Sequence, residues 1–168
     1  QGAEIAAGRQ LMLAYGNYAS ENRDALLPGY LDSPKASDAY GTSFASGQLA
    51  IAARRYVWRL APWMNFDVSG LYPHEMAEVL ERLQQQEYHD YLYAASISPA
   101  FGLNSEWIGG DQNAYGFLPA DHPLRNVLNF NQFYLSYLAQ ARHPQRLMVF
   151  TSARGVDPQN PSSGGSGS

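Results

Sequence analysis

Apolar positions recur along the first twenty-odd residues at helical spacing. Ile5, Met12, Tyr15 and Ala19 form one stripe, with Leu11, Ala14 and Tyr18 beside it, and this pattern predicts a helix over 3–23. The apolar arc is wider than one core-facing stripe requires, and Gly8 and Gly16 interrupt it. A glycine inside a helix costs about 0.5–1 kcal/mol relative to alanine, so two of them point either to simple tolerance or to a helix packed on two sides, by its own domain and by neighbouring subunits. The pattern breaks at 22–25, and Pro28-Gly29 marks a turn. Residues 31–47, rich in Ser, Gly, Ala and Asp, read as a loop. A second helix is predicted over 48–61, burying Leu49, Ala52, Ala53, Tyr56, Val57 and Leu60 and stopped by Pro62. A third opens near Pro73 and runs through Met76, Val79, Leu80 and Leu83 to Gln84-Gln85-Gln86.

Beyond Tyr88 the period changes. Tyr91, Tyr93, Ala95 and Ile97 alternate with Leu92, Ala94 and Ser96, which predicts a strand ended by Ser98-Pro99. The glycine-punctuated stretch 101–117 reads as loop or hairpin, 133–139 as extended, and 147–152 as a final strand. Helices first and strands last imply an α+β fold: a long N-terminal helix on a C-terminal antiparallel sheet, with an inserted helical region over 48–87. With 168 residues and 45% apolar content, a single domain over 1–161 is expected. The tail 162–168, Ser-Ser-Gly-Gly-Ser-Gly-Ser, reads as a flexible linker or an appended scar.

Composition narrows the chemistry. Eleven basic residues against fifteen acidic give a net charge of -4, and the basic ones are scattered, so no nucleic-acid partner is expected. The densest basic run, Arg54, Arg55 and Arg59, reads as a solvated helix face. Without cysteine there is no disulfide framework, thiolate nucleophile or cysteine-based zinc site. The four histidines, His74, His89, His122 and His143, lie in separate segments, and His74-Glu75 lacks the second histidine one turn later that a zinc peptidase needs. Glu75, Glu78 and Glu81 fit the solvated face of an amphipathic helix. Gly41-Thr42-Ser43-Phe44-Ala45 lacks the second glycine of a nucleophile elbow and follows no strand. Asp111, Asn113 and Asp121 lack the alternating carboxylates of a calcium loop. No enzymatic activity, cofactor or metal is therefore expected. Aromatics remain as binding candidates: Trp58 and Trp63 read as core, whereas Trp107 and Tyr115, with Phe117 nearby, are the candidate ligand-facing rings.

Three stretches, taken in order, resemble the bacterial type IV pilin-like family, which includes the pseudopilins of type II secretion. The first is Ala6-Ala7-Gly8-Arg9-Gln10-Leu11-Met12-Leu13-Ala14-Tyr15, continuing through Tyr18-Ala19-Ser20-Glu21-Asn22 to Leu27-Pro28-Gly29. It looks like the segment following the membrane helix in prepilin-type proteins. Tyr56-Val57-Trp58-Arg59-Leu60-Ala61-Pro62-Trp63 is similar to an aromatic helix ending at proline in that group, and Leu135-Ser136 through His143-Pro144 to Val149-Phe150-Thr151-Ser152-Ala153 to its closing strand. A common subfamily pattern, a histidine followed at a distance by Asp-Gly, is not matched.

The resemblance implies a structural subunit of a type IV-like pilus or type II secretion pseudopilus, with its membrane segment and cleavage site upstream of Gln1. It implies sister subunits, the secretion or pilus machinery and a prepilin peptidase as partners, and a periplasmic or extracellular head anchored in the inner membrane only through that upstream segment. It assigns Leu11, Met12 and Tyr15 to seating the helix on the sheet, and Ile5 and Gly8 to contacts with neighbouring helices. The alternative from another class is a cell-envelope glycan-binding module using the exposed aromatics.

Overall fold

The computed structural model describes residues 2–32, 34–105, 107–111 and 134–152. Among them the chain is α+β. Helix α1 (Gly2–Glu21) is followed by α2 (Gly47–Ala53), α3 (Tyr56–Leu60), α4 (His74–Gln86) and α5 (Tyr88–Ile97); strands β1 (Phe101–Leu103) and β2 (Phe150–Ser152) pair antiparallel, with Gly102 opposite Thr151.

Helix α1 ends where expected. Arg23 and Asp24 adopt left-handed backbone angles, the Asp24 amide donates to the Ala19 carbonyl at 2.8 Å, and the Asn22 side-chain amide caps the Tyr18 carbonyl at 2.7 Å. Its buried stripe is Ala7, Leu11, Ala14, Tyr15 and Ala19, spaced four, three, one and four residues apart, which places them on one side of the cylinder. That side rests on α3 and on the 3-10 turns Ala61–Met64 and Ser69–Leu71. Ile5 and Met12, expected on the same stripe, lie off it.

The predicted helix over 48–61 is broken. Arg55 takes an extended conformation, φ -93° and ψ 160°, and forms a bridge with Tyr30, so α2 and α3 are separate pieces. Local propensity favours continuity, but the bridge to Tyr30 and the tertiary contacts of α3 override it. All five residues of α3 are buried. Around it Leu11, Leu27, Phe44, Leu92 and Ile108 are fully enclosed, each contributing roughly 1.5–3 kcal/mol by leaving water. Three buried aromatic tips find acceptors: the Trp58 indole donates to the Leu92 carbonyl at 2.7 Å, the Tyr56 hydroxyl to Phe101 at 2.6 Å and the Tyr72 hydroxyl to Ala95 at 2.6 Å.

Residues 91–97, predicted as a strand, belong instead to α5. The aromatic alternation misleads because this segment is covered on more than one side, so apolar residues occur nearly all round it. Burial follows the helical period: Leu92, Ala95 and Ser96 are enclosed while Tyr88, Tyr91 and Tyr93 are half-buried. α5 packs against both α4 and α2. The helical region therefore extends to Ile97, and the sheet is smaller than the sequence implies, a pair of three-residue strands.

Three loop segments, 24–31, 107–111 and 134–138, braid beside the core. The Leu26 amide donates to Ser136, Leu138 to Asp24, Gly29 to Gly110, Gly109 to Leu135, and Leu135 to Trp107, all between 2.7 and 2.9 Å. This satisfies backbone that no regular sheet covers. The extended reading of 133–139 holds for Leu135 and Tyr137, which form bridges, before the 3-10 turn Leu138–Gln140.

Candidate functional site

Helix α1 divides the predicted contact residues into two sets. Leu11 and Tyr15 are buried, and the Tyr15 ring meets Phe150 edge-on with centroids 5.6 Å apart. Burial raises the Tyr15 phenol well above its ordinary value. Met12 does not seat the helix: it is 43% exposed, because it points some 100° away from the Leu11 side. Ile5 is 56% exposed and Leu13 69%. Gly8 faces its own domain in part, since a Cβ there would lie 3.4 Å from the Phe101 ring. Above Gly16 there is open space.

Ile5, Gly8, Arg9, Met12 and Leu13 form one wall of an open groove of about 640 Å³, and Phe101, Phe150 and Ser152 of the strand pair form the other. At its edge the Ser152 hydroxyl donates to the Glu4 carboxylate at 2.6 Å. The groove is dominated by side-chain carbon and offers little to catalysis. What it can do is take up another apolar surface.

Trp107 is 58% exposed. Its carbonyl is fixed by the Leu135 amide at 2.8 Å, so a braided backbone presents a free ring. Tyr115, its predicted companion, lies outside the described residues, as do Asn113, Phe117, Asp121 and His122. Trp58 is buried as expected, and Trp63 is half-buried with its ring against Tyr18 at 5.1 Å. Among the described residues no cluster of three metal-ligating side chains occurs, and His74 meets only Glu78 one turn on, at 3.4 Å. No helix among them is long and apolar enough to cross a membrane.

Two polar hubs escaped the sequence reading. Arg59 is not on a solvated face: it is 8% exposed, donating from Nη2 to the carbonyls of Gly29 at 2.7 Å and Arg54 at 3.1 Å, and from Nε to Arg55 at 3.2 Å. Burial lowers its pKa to about 10, partly offset by Tyr18 and Asp111, so the guanidinium stays charged at neutral pH. Arg54 instead donates to the Tyr30 hydroxyl at 3.1 Å and lies 3.8 Å from Asp32, while Arg55 sits over the Tyr93 ring and reaches Ser96. The arginine spacing carried no signal that one of the three turns inward.

Asp38, buried in the 31–47 loop, is the second hub. Its Oδ1 accepts from the amides of Tyr40 at 2.9 Å and Thr42 at 2.8 Å, and its Oδ2 from the Tyr88 hydroxyl at 2.9 Å. Burial pushes the carboxyl up, yet the donors, led by the Thr42 amide and Tyr88, outweigh it and hold the group below the usual range. Asp38 followed by Ala-Tyr-Gly-Thr is a recognisable Asx-turn signal. Its partner fifty residues away is not.

Compared with protein-family models, curated proteins and solved structures, the chain finds no match.

Proposed function

We propose that the chain is a structural subunit of a type IV-like pilus or type II secretion pseudopilus, assembling with sister copies through α1. One observation carries this reading: α1 buries Leu11 and Tyr15 within its own fold while leaving Ile5, Met12 and Leu13 exposed along a groove of about 640 Å³. Three large apolar side chains on one exposed helix surface are expensive in water and economical in an assembly. Gly16, above which space is open, lies near the same surface and would let a neighbouring backbone approach.

In this reading α1 and the β1–β2 pair form the pilin-like helix-on-sheet unit. Supporting it are the Tyr15–Phe150 ring contact, the approach of Phe101 to Gly8 and the Ser152–Glu4 hydrogen bond. The head would then be periplasmic or extracellular, with sister subunits, the secretion or pilus machinery and a prepilin peptidase as partners, and the role is non-enzymatic. The test is a charge at the exposed face in the full-length protein. Ile5→Glu should impair filament assembly while the isolated head keeps its far-UV spectrum and unfolding midpoint, and unimpaired assembly counts against the proposal.

A second reading, a cell-envelope glycan-binding module, has the exposed Trp107 ring in its favour. Binding to a glycan array that disappears in Trp107→Ala would establish it, and an empty array would remove its one support.

A further inference from the structure

Beside α3, a second cleft of about 570 Å³ opens between the 34–45 loop and the chain around Pro62 and Trp63. Its volume lies within the range of small-molecule sites, roughly 300–1,000 Å³. The lining is one-sided in charge. Lys35 and Arg59 both contribute, and no aspartate or glutamate does, in a protein whose acids outnumber its bases fifteen to eleven. The rest of the lining is largely aromatic and apolar: Phe44 and Trp58 form its buried floor, Trp63 is the ring left partly open, and the exposed Ser43 hydroxyl is a neutral donor.

The two cations differ in kind. Lys35 is exposed at the rim. Arg59 is more than nine-tenths buried, and although Nε and Nη2 hold three carbonyls, Nη1 has no hydrogen-bond partner among the described residues. A guanidinium this deeply buried is poorly screened, so its field reaches into the cleft more strongly than that of a surface charge. Asp111 balances part of that field. The nearest carboxylate in the adjoining loop, Asp38, is already taken up by the amides of Tyr40 and Thr42 and the Tyr88 hydroxyl. The Trp63 ring, half-buried and held edge-on by Tyr18, offers a fixed face.

We propose that this cleft binds a small amphiphilic carboxylate, its flat apolar body against Trp63 and its carboxylate toward Lys35 and Arg59. The site is separate from the α1 groove and does not depend on filament assembly. Phenylacetate is the probe, with phenylacetamide as its uncharged counterpart, titrated at low ionic strength by calorimetry and by tryptophan fluorescence. Saturable one-to-one binding of the carboxylate is expected, with the amide weaker by about tenfold or more, the order of a single charge-assisted contact. Because Arg59 also holds the fold, the test uses variants at the edge of the cleft. Lys35→Ala should weaken phenylacetate about fivefold and Trp63→Ala about tenfold, both with an unchanged far-UV spectrum. Equal affinity for acid and amide overturns the proposal, as does binding indifferent to both substitutions or an absence of saturable binding to the folded protein.

Discussion

The loop braid and the outer face of α1 stand at opposite ends of one scale. In the braid every segment is fixed by a neighbour: the Gly109 amide is held by Leu135, the Gly29 carbonyl by Arg59, and a side chain at Gly109 would fall on the Leu27 carbonyl. On α1, Ile5, Met12 and Leu13 are exposed, and Gly16 has nothing above it. The braid has no regular secondary structure and is determined by position; the helix is regular and only half of it is determined. Regularity is therefore a poor guide to where this molecule is rigid, and the unoccupied half is where a partner has room to act.

The sharpest way to break this contrast is at Gly109. Its φ of +75° already penalises any side chain, and the added Cβ would collide with backbone, which cannot swing aside. Gly109→Ala should lower unfolding stability by about 3 kcal/mol or more in urea denaturation. A loss under about 1 kcal/mol would mean that the braid yields, and the distinction between the two regions would fade.

Asp38 should have the next largest effect. Asp38→Ala strips an acceptor from two amides and the Tyr88 hydroxyl, and the expected loss is about 2 kcal/mol at neutral pH. Its pH dependence carries a definite sign. The folded carboxyl titrates below its unfolded value of about 3.9, so the contribution is complete above that pH and disappears as pH falls through the folded pKa. The gap between wild type and variant should accordingly be constant from pH 7 to about 5 and narrow below about pH 4, as followed by urea denaturation at each pH. A gap that persists unchanged into acid would assign the loss to packing.

How far the sequence disclosed these features depends on the range of the interactions behind them. Helices α1 and α4 were legible because their burial repeats along one face, and the C-terminal end of α1 because Asn22 and the Pro28-Gly29 turn are local signals. α5 was not, since a helix contacted from two sides loses its stripe, and tyrosines at alternate positions imitate a strand. The break before Tyr56 and the inward turn of Arg59 stem from Tyr30 and Gly29, more than twenty residues away, and no window along the chain contains both partners. Of the candidate contact residues, Leu11 and Tyr15 fall within the apolar arc that periodicity outlines, and both are buried. Met12 could not, because a wide apolar arc does not say which of its edges the fold will cover.

Gly16 gives a smaller effect of opposite direction. The position is helical and open, so Gly16→Ala should stabilise the isolated chain by about 0.5–1 kcal/mol through helix propensity alone. If alanine also weakens assembly in the full-length protein, the absent side chain serves an intermolecular approach. A gain in stability with assembly unaffected would make this glycine a simple tolerance.

The smallest expected change in stability is at Ile5 and Met12, and it separates the two regions most cleanly. Because both side chains already face solvent, Ile5→Glu and Met12→Glu should each shift the unfolding free energy by no more than about 0.5 kcal/mol. The same charges placed in an apolar contact between copies would have to be desolvated or expelled, which costs several kcal/mol per ion. Sedimentation velocity on the isolated chain, together with assembly of the full-length protein, measures whether that second cost exists. Near-native stability with abolished association identifies the outer face of α1 as an interface, whereas marked destabilisation would mean that Ile5 and Met12 serve the domain's own fold.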